Sequence, residues 1–328
     1  MITPRVSILI PTLDGAPDLD RLLPALRRQQ VEGGVELRAI DSSSDDGTVA
    51  QLRAYGAHVD VIPRSEFRHG TTRNALAEGA RGEFFLFLSQ DTVPCGDDFI
   101  ATLVAAFERD PLLAGATARV LPHEDDDPLT ARTVLGAPEA GDHTLVLGGP
   151  AAAASEGPRF NNVAGMVRAS HFREVPFPDV AFGEDFAWAT RVLARGWRVA
   201  FVAEAVVRHA HRYGPSQAFE RYRTDARFHR EERGHIVRPS VRSVARGLLF
   251  ELREDVRYVR ANGAPLRHLL RAPGLRAAQV LGQFVGSRGP VSDPQRAAHE
   301  GGPLPQPEQA SKPEPQPGPK PEPGEAQR

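Results

Sequence analysis

The chain has 328 residues, 41% hydrophobic and 25% charged, enough to bury one large α/β core or two small ones. A formal net charge of -2 gives no global basic field and argues against a nucleic-acid partner. Cys95 is the single cysteine, which excludes an internal disulfide framework and a cysteine-built metal site; a cytoplasmic, reducing setting is expected. A strand-like run starts close behind Met1 with no basic segment leading a long apolar stretch, so no signal peptide is expected. No window approaches the roughly 18 to 20 apolar residues of a membrane span, which limits any membrane contact to a peripheral one on the inner face.

In chain order, Arg5 to Ile10 reads as a strand, Pro11 to Pro17 as a polar turn and Leu19 to Gln30 as an amphipathic helix. Val35 to Ile40 is a second strand, ending in the turn-rich Asp41-Ser-Ser-Ser-Asp-Asp-Gly47 before a helix over Thr48 to Tyr55. His58 to Ile62 is a third strand and Thr71 to Ala80 a helix. The fully apolar Phe84-Phe-Leu-Phe-Leu88 suits the middle of a parallel sheet. This βαβαβ order predicts a Rossmann-like, mostly parallel α/β sheet. Ligands of such sheets lie outside the carboxyl ends of the strands, so Thr12 to Asp14, Asp41 to Asp46 and Ser89 to Asp91 should face one crevice.

Further on, Asp97 to Arg109 is expected to be helical and Ala114 to Val120 a strand, while the acidic run Pro122 to Pro128 reads as a solvated loop. Ala140 to Arg159 has no clear period and is expected to be a loop over the site. A helix over Asp185 to Arg195, a short strand over Arg198 to Val202 and helices to about Gly234 follow. Between Arg238 and Arg288 ten Arg stand against three acids, on helices with Leu, Val and Phe on the other face. Two readings stay open there: a packed extension with a solvated basic face, or peripheral contact with an anionic membrane. The division expected is a donor-binding half over 1–120, an acceptor and catalytic half over 121–234, a basic helical extension over 235–288 and a disordered Pro-rich tail over 289–328.

Several residues carry candidate chemistry. Asp41, at a strand end, can accept hydrogen bonds from a nucleobase imide or a ribose hydroxyl; the competing role is turn formation, which suits Ser42 to Asp46. Asp91, behind a rigid apolar strand, can hold a hard divalent cation that neutralises a diphosphate leaving group. His209-Ala-His211 follows a strand, and alternation points both imidazoles one way, so either or both could face that metal. Glu184-Asp185 opens a helix after Gly183, where carboxylates are also ordinary caps. His69, Arg73 and Asn74 occupy a turn entering a helix, where they can meet phosphate or sugar hydroxyls; the alternative is that Arg73 pairs with an acid such as Glu66.

Val6-Ser-Ile-Leu-Ile-Pro-Thr12, Asp41 to Thr48, Ser89-Gln-Asp-Thr-Val-Pro94 and Gly183-Glu-Asp185, in that order, resemble the family 2 glycosyltransferases. Phe67 to Asn74, the Gln-Asp-Thr-Val-Pro stretch and Phe177 to Asp185 resemble the rhamnosyltransferase branch, the likeness spanning roughly residues 5 to 230. The resemblance implies an inverting enzyme of the A-type glycosyltransferase fold that uses Mg²⁺ or Mn²⁺. Its donor would be a nucleotide diphosphate sugar, dTDP-L-rhamnose in the branch or another hexose donor, and its acceptor a hydroxyl of a glycan or lipid-linked sugar. It implies donor contacts at Pro11, Thr12, Asp14, Asp41, Ser43, His69, Arg73, Asn74, Gln90 and Asp91. It further implies metal ligation by Asp91 with one of His209 and His211, Asp185 as the base, and Glu184 on the acceptor or sugar side. Trp188, which reads as core like Trp197, is also carried as an acceptor-side candidate. The family often has Asp-x-Asp where this chain has Ser89-Gln90-Asp91, so one carboxylate is missing. A non-catalytic nucleotide-sugar-binding scaffold is the alternative outside the enzymes, and a dinucleotide oxidoreductase is excluded because no Gly-x-Gly-x-x-Gly follows the first strand.

Overall fold

The computed structural model describes residues 3–149, 160–180 and 182–289. Its first half alternates strand and helix: β1 (Val6–Thr12), α1 (Ala16–Arg27), β2 (Val35–Asp41), α2 (Thr48–Tyr55), β3 (His58–Val61), α3 (His69–Glu78) and β4 (Phe84–Leu88). There follow β5 (Val93–Pro94), α4 (Phe99–Arg109), β6 (Leu113–Leu121), α5 (Pro128–Leu135), β7 (Leu145–Gly148), β8 (Ala164–Arg168), α6 (Ala169–Glu174), α7 (Glu184–Ala194) and β9 (Arg198–Arg208). Three long helices close the described chain: α8 (Pro215–Arg233), α9 (Val241–Ala261) and α10 (Ala272–Gly286).

The strands form one sheet in the order β3-β2-β1-β4-β8-β6-β9-β5, with β7 also paired to β9. β1 to β4 pair in parallel, as do β6 and β9, while β8 runs against both its neighbours β4 and β6. This is the mostly parallel α/β sheet of the sequence reading. Period-two alternation sends Ile8, Ile10, Phe84, Leu86 and Leu88 into a core layer with α1 and α4, and Leu9, Phe85 and Phe87 into a layer with α3, α6 and α7. All five residues of β4 are buried, as a strand covered on both faces requires.

Several elements depart from expectation. β9 continues to Arg208, six residues past the expected end, because β6 and β5 pair with its second half. The acidic run contains a turn, in which the His123 amide donates to Asp126. It then ends in Asp127, whose carboxylate accepts from the amides of Leu129 and Thr130 and caps α5. Of the expected loop Ala140 to Arg159, Leu145–Gly148 is a strand, and residues 150–159 lie outside the described residues, as does the expected tail over 290–328.

The extension is packed onto the domain. Gly282 and Gly286 let α10 lie so close to α8 that a Cβ at either would collide with the carbonyl oxygens of Phe219 and Arg223. Arg276 and Asp255, both fully buried, join α10 to α9 through a two-point guanidinium–carboxylate contact of 2.7 and 2.9 Å, and Arg132 of α5 adds a third partner at 2.6 Å. None of the described helices is long and apolar enough to cross a membrane.

Candidate active site

The parallel register puts the C-terminal ends of β1, β2, β3 and β4 on one edge of the sheet, where their loops are tied together. Thr12 and Ser44 donate hydroxyl hydrogen bonds of 2.8 and 2.6 Å to Asp41 Oδ2, and the Ser44 amide donates to Oδ1 at 2.8 Å. Asp14 and Ser43 both sit at positive φ, 45° and 61°. The Asp14 carboxylate accepts from Arg64 at 2.8 Å, and the Ser43 hydroxyl donates to the Ile62 carbonyl. Pro11, half-buried, lies in register with Ile40 on the adjoining strand.

Two donor-side candidates are held by the loops around them. Asp41 has no exposed surface, and its carboxylate already takes three hydrogen bonds, so it shapes the loop and does not open onto the crevice. Gln90, the middle residue of Ser89-Gln90-Asp91, clasps the Leu13 backbone: its Oε1 accepts from the Leu13 amide at 2.9 Å and its Nε2 donates to the Leu13 carbonyl at 3.0 Å. An Asp there would be too short and, ionised, could not donate.

Asp91 follows β4, and the short pairing of β5 with β9 brings it against the segment after β9. Its Oδ2 lies 3.3 Å from His209 Nε2 and 3.5 Å from His211 Nδ1, and one ligand atom from each of the three residues falls within 4.8 Å of the others. Both histidines therefore converge on Asp91, the largely buried His209 more firmly than the half-exposed His211. Burial works to raise the Asp91 pKa, but the hydrogen bond and charge of His209, with the charge of His211, outweigh it and hold the carboxyl below its usual range. Burial, followed by the nearby His209 charge, lowers the His211 pKa. A cation can bind this set only where the imidazole nitrogens carry no proton, because a protonated imidazole has no lone pair to offer.

The second centre is the start of α7. Gly183 adopts φ 78° with the Phe228 ring packed against its Cα, a place no side chain fits, and this turn delivers Glu184 and Asp185 to the helix N-terminus. Their roles differ. Glu184 is buried and accepts from Arg73 at 2.8 Å and from Asn162 Nδ2 at 3.1 Å. Arg73 thus pairs across 111 residues with Glu184, not across its own turn with Glu66. Asp185 accepts from the backbone amides of Asn162, at 3.2 Å, and Phe186. Desolvation, then the adjacent Glu184 charge, push its pKa up to about 6, against the lowering effect of those amides.

His69 places Nδ1 3.4 Å from Arg73 Nη1, and burial is the main cause of its lowered pKa. Asn74 exchanges two hydrogen bonds with the Phe177 backbone, 2.9 and 3.1 Å, which pins α3 to the 177 segment. Trp188 is fully buried, in the core where it was read, with its indole N–H donated to the Val175 carbonyl at 2.7 Å, so it offers no exposed surface to an acceptor.

Sequence reasoning passed over Asn162, which fixes both acids of α7, and Arg221 of α8. Arg221 is exposed and lies over the Phe182 ring at 4.8 Å. With Asn161, Phe186, His209, His211 and Tyr213 it lines a cavity of 1270 Å³, larger than the ~300–1,000 Å³ typical of single small-molecule sites. One Arg among the many of α8 carries no spacing signal that would single it out.

With this geometry in view, known proteins can be compared. Residues 7–148 match the family described as Glycosyl transferase family 2. The chain is 32% identical over 243 residues to the O-antigen chain rhamnosyltransferase RfbN of Salmonella typhimurium, covering 69% of this chain and 72% of that protein. It is 32% identical over 239 residues to the O-antigen chain rhamnosyltransferase WbaN of Salmonella anatum, with the same coverage of 69% and 72%. Among solved structures, the mannosyltransferase PcManGT from Pyrobaculum calidifontis, in complex with GDP-Man and Mn²⁺, is similar with a TM-score of 0.56. At 17% identity over 87% of this chain and 86% of that one, this likeness is one of fold.

Proposed function

Because the chain belongs to glycosyl transferase family 2 and is a glycosyltransferase, we propose that it moves L-rhamnose from dTDP-L-rhamnose to a hydroxyl of a glycan or lipid-linked acceptor in cell-surface polysaccharide synthesis. The two relatives named for O-antigen rhamnosyl transfer support the sugar and the acceptor class. The observation that carries the chemistry is the pairing of an Asp91, His209 and His211 cluster with a separate carboxylate of raised pKa, Asp185.

In this reading residues 1–120 serve the donor, 121–234 complete the acceptor side and 235–288 form an extension. Asp91, with His209 and His211, holds the divalent cation. When bound, that cation neutralises charge building on the diphosphate as it leaves. A donor set of one carboxylate and two imidazoles suits Mn²⁺ better than Mg²⁺, which prefers oxygen ligands throughout.

Asp185 takes the proton of the acceptor hydroxyl while that oxygen attacks the anomeric carbon from the face opposite the diphosphate. The bond from the anomeric carbon to the diphosphate oxygen breaks, its electron pair leaves with the nucleotide, and the configuration inverts. Glu184, held by Arg73 and Asn162, adds its charge to the desolvation that raises the Asp185 pKa. Arg221, exposed in the cavity beside His211, is placed to pair with a phosphate.

The test is donor turnover by purified protein, comparing dTDP-rhamnose with UDP- and GDP-sugars in Mn²⁺, Mg²⁺ or chelator. Metal-dependent turnover of dTDP-rhamnose, abolished in Asp185→Asn, supports the reading. Turnover of another donor alone overturns the sugar, and tight donor binding with no turnover, even with cell-envelope acceptors supplied, overturns the enzyme.

A further inference from the structure

The outer face of α9 serves neither of the two centres. The acids of this helix are consumed: Asp255 is buried between Arg276 and Arg132, Glu251 also binds Arg132, and Glu254 pairs with Arg257 at 3.0 Å. What faces outward is one stripe of Arg242, Arg246, Arg253 and Arg260, all exposed and none with an acidic partner among the described residues. Their spacings of four and seven residues repeat along one side of a helix. Leu249 and Phe250, 55% and 58% exposed, stand among them.

A face for water alone has no use for large apolar side chains between unpaired cations, and a soluble polyanion would engage only the cations. A bilayer interface takes both, with apolar groups in the acyl boundary and guanidinium groups among the headgroups. The 1270 Å³ cavity also runs from His209 and His211 to Phe250, Arg257 and Tyr258, so its far rim is α9.

We propose that the outer face of α9 docks on a bilayer bearing anionic headgroups, which sets the α9 rim of the cavity against the surface that presents the acceptor. The orientation rests on the reading of the chain as a transferase acting on a lipid-linked or surface-held acceptor. Packing of the inner face through the buried Arg132, Asp255 and Arg276 keeps the stripe fixed with respect to the cavity.

Flotation of the full chain with vesicles of phosphatidylglycerol and phosphatidylcholine, against phosphatidylcholine alone, tests this. We expect binding to the anionic vesicles that weakens with salt. In Arg246→Glu/Arg253→Glu the partition coefficient should fall at least roughly 25-fold, about fivefold for each charge removed. Arg246→Lys/Arg253→Lys should keep it, and Leu249→Ser should weaken binding several-fold. No binding at low salt, equal binding to both vesicles, or a charge-reversed variant that binds like the parent would overturn the proposal. So would equal affinity for soluble polyphosphate combined with indifference to Leu249→Ser. Donor hydrolysis in solution should be unchanged in these variants. Failed flotation with intact donor turnover therefore overturns the docking alone, and absent turnover in the parent overturns the transferase reading alone.

Discussion

The loops over the first four parallel strands and the region around the start of α7 solve the same problem, placing polar groups rigidly at a crevice, in different ways. In the first, neighbours in sequence satisfy one another: Asp41 with Ser44, and Asp46 with Thr48, closed by Thr12 from the adjoining strand. In the second, the partners come from other segments, Arg73 for Glu184 and Asn162 for both acids, and the Asp91 centre likewise takes its histidines from the segment after β9. Local satisfaction produces a preformed cradle whose hydrogen bonds steady ionised carboxylates, the Thr48 hydroxyl lowering the Asp46 pKa. Long-range assembly leaves carboxylates with perturbed affinity for protons and metal, which is where catalysis is expected.

The sharpest way to break this contrast is Asp185→Asn, which keeps shape but removes the base; turnover should fall by about 10²–10⁴-fold. Next in size is Glu184→Ala. It strands the buried Arg73 guanidinium and should cost about 3–5 kcal/mol in denaturant unfolding. Glu184→Gln, which still accepts a hydrogen bond, should cost less. If Glu184→Ala were as stable as the parent, long-range assembly would not be what holds this region. Asp91→Ala should lower turnover roughly 100-fold and abolish Mn²⁺ binding by calorimetry, with His209→Ala weakening the metal more than His211→Ala because His209 is the more buried ligand. The smallest effect is expected at the clasp between Gln90 and Leu13: Gln90→Asp should cost about 1–2 kcal/mol in stability, since the Leu13 carbonyl loses its donor. A gain in metal affinity from that added acid would contradict the role given to Gln90 as a clasp.

The same division explains what could be read in advance. β4 is a run of five apolar residues, and α1 shows one apolar side; both are local patterns, and the sequence placed them. β8, five residues including a glycine, has no period of its own and exists because β4 and β6 leave a slot between them. α5 did carry a signal in Asp127-Pro128, an N-cap followed by proline at the first turn, which the surrounding acids obscured. At the site, residue types pointed to Asp91 and the two histidines, the family resemblance singled out Asp185, and the fold brings these residues into two centres. Pattern could not show that Asp41 would be buried, or that Asn74 would spend its amide on Phe177, because each depends on a partner in another segment.

The most direct test of the central claim, that Asp185 is a base poised by burial and by Glu184, is the pH dependence of kcat/KM for donor turnover with Mn²⁺. A raised carboxyl pKa means that the active, ionised form accumulates as pH rises through about 6. The parent should therefore show a rising limb centred there that Glu184→Gln moves to lower pH and Asp185→Asn removes together with the activity. A profile flat from pH 5 to pH 8, or a limb that persists unchanged in Asp185→Asn, would contradict it.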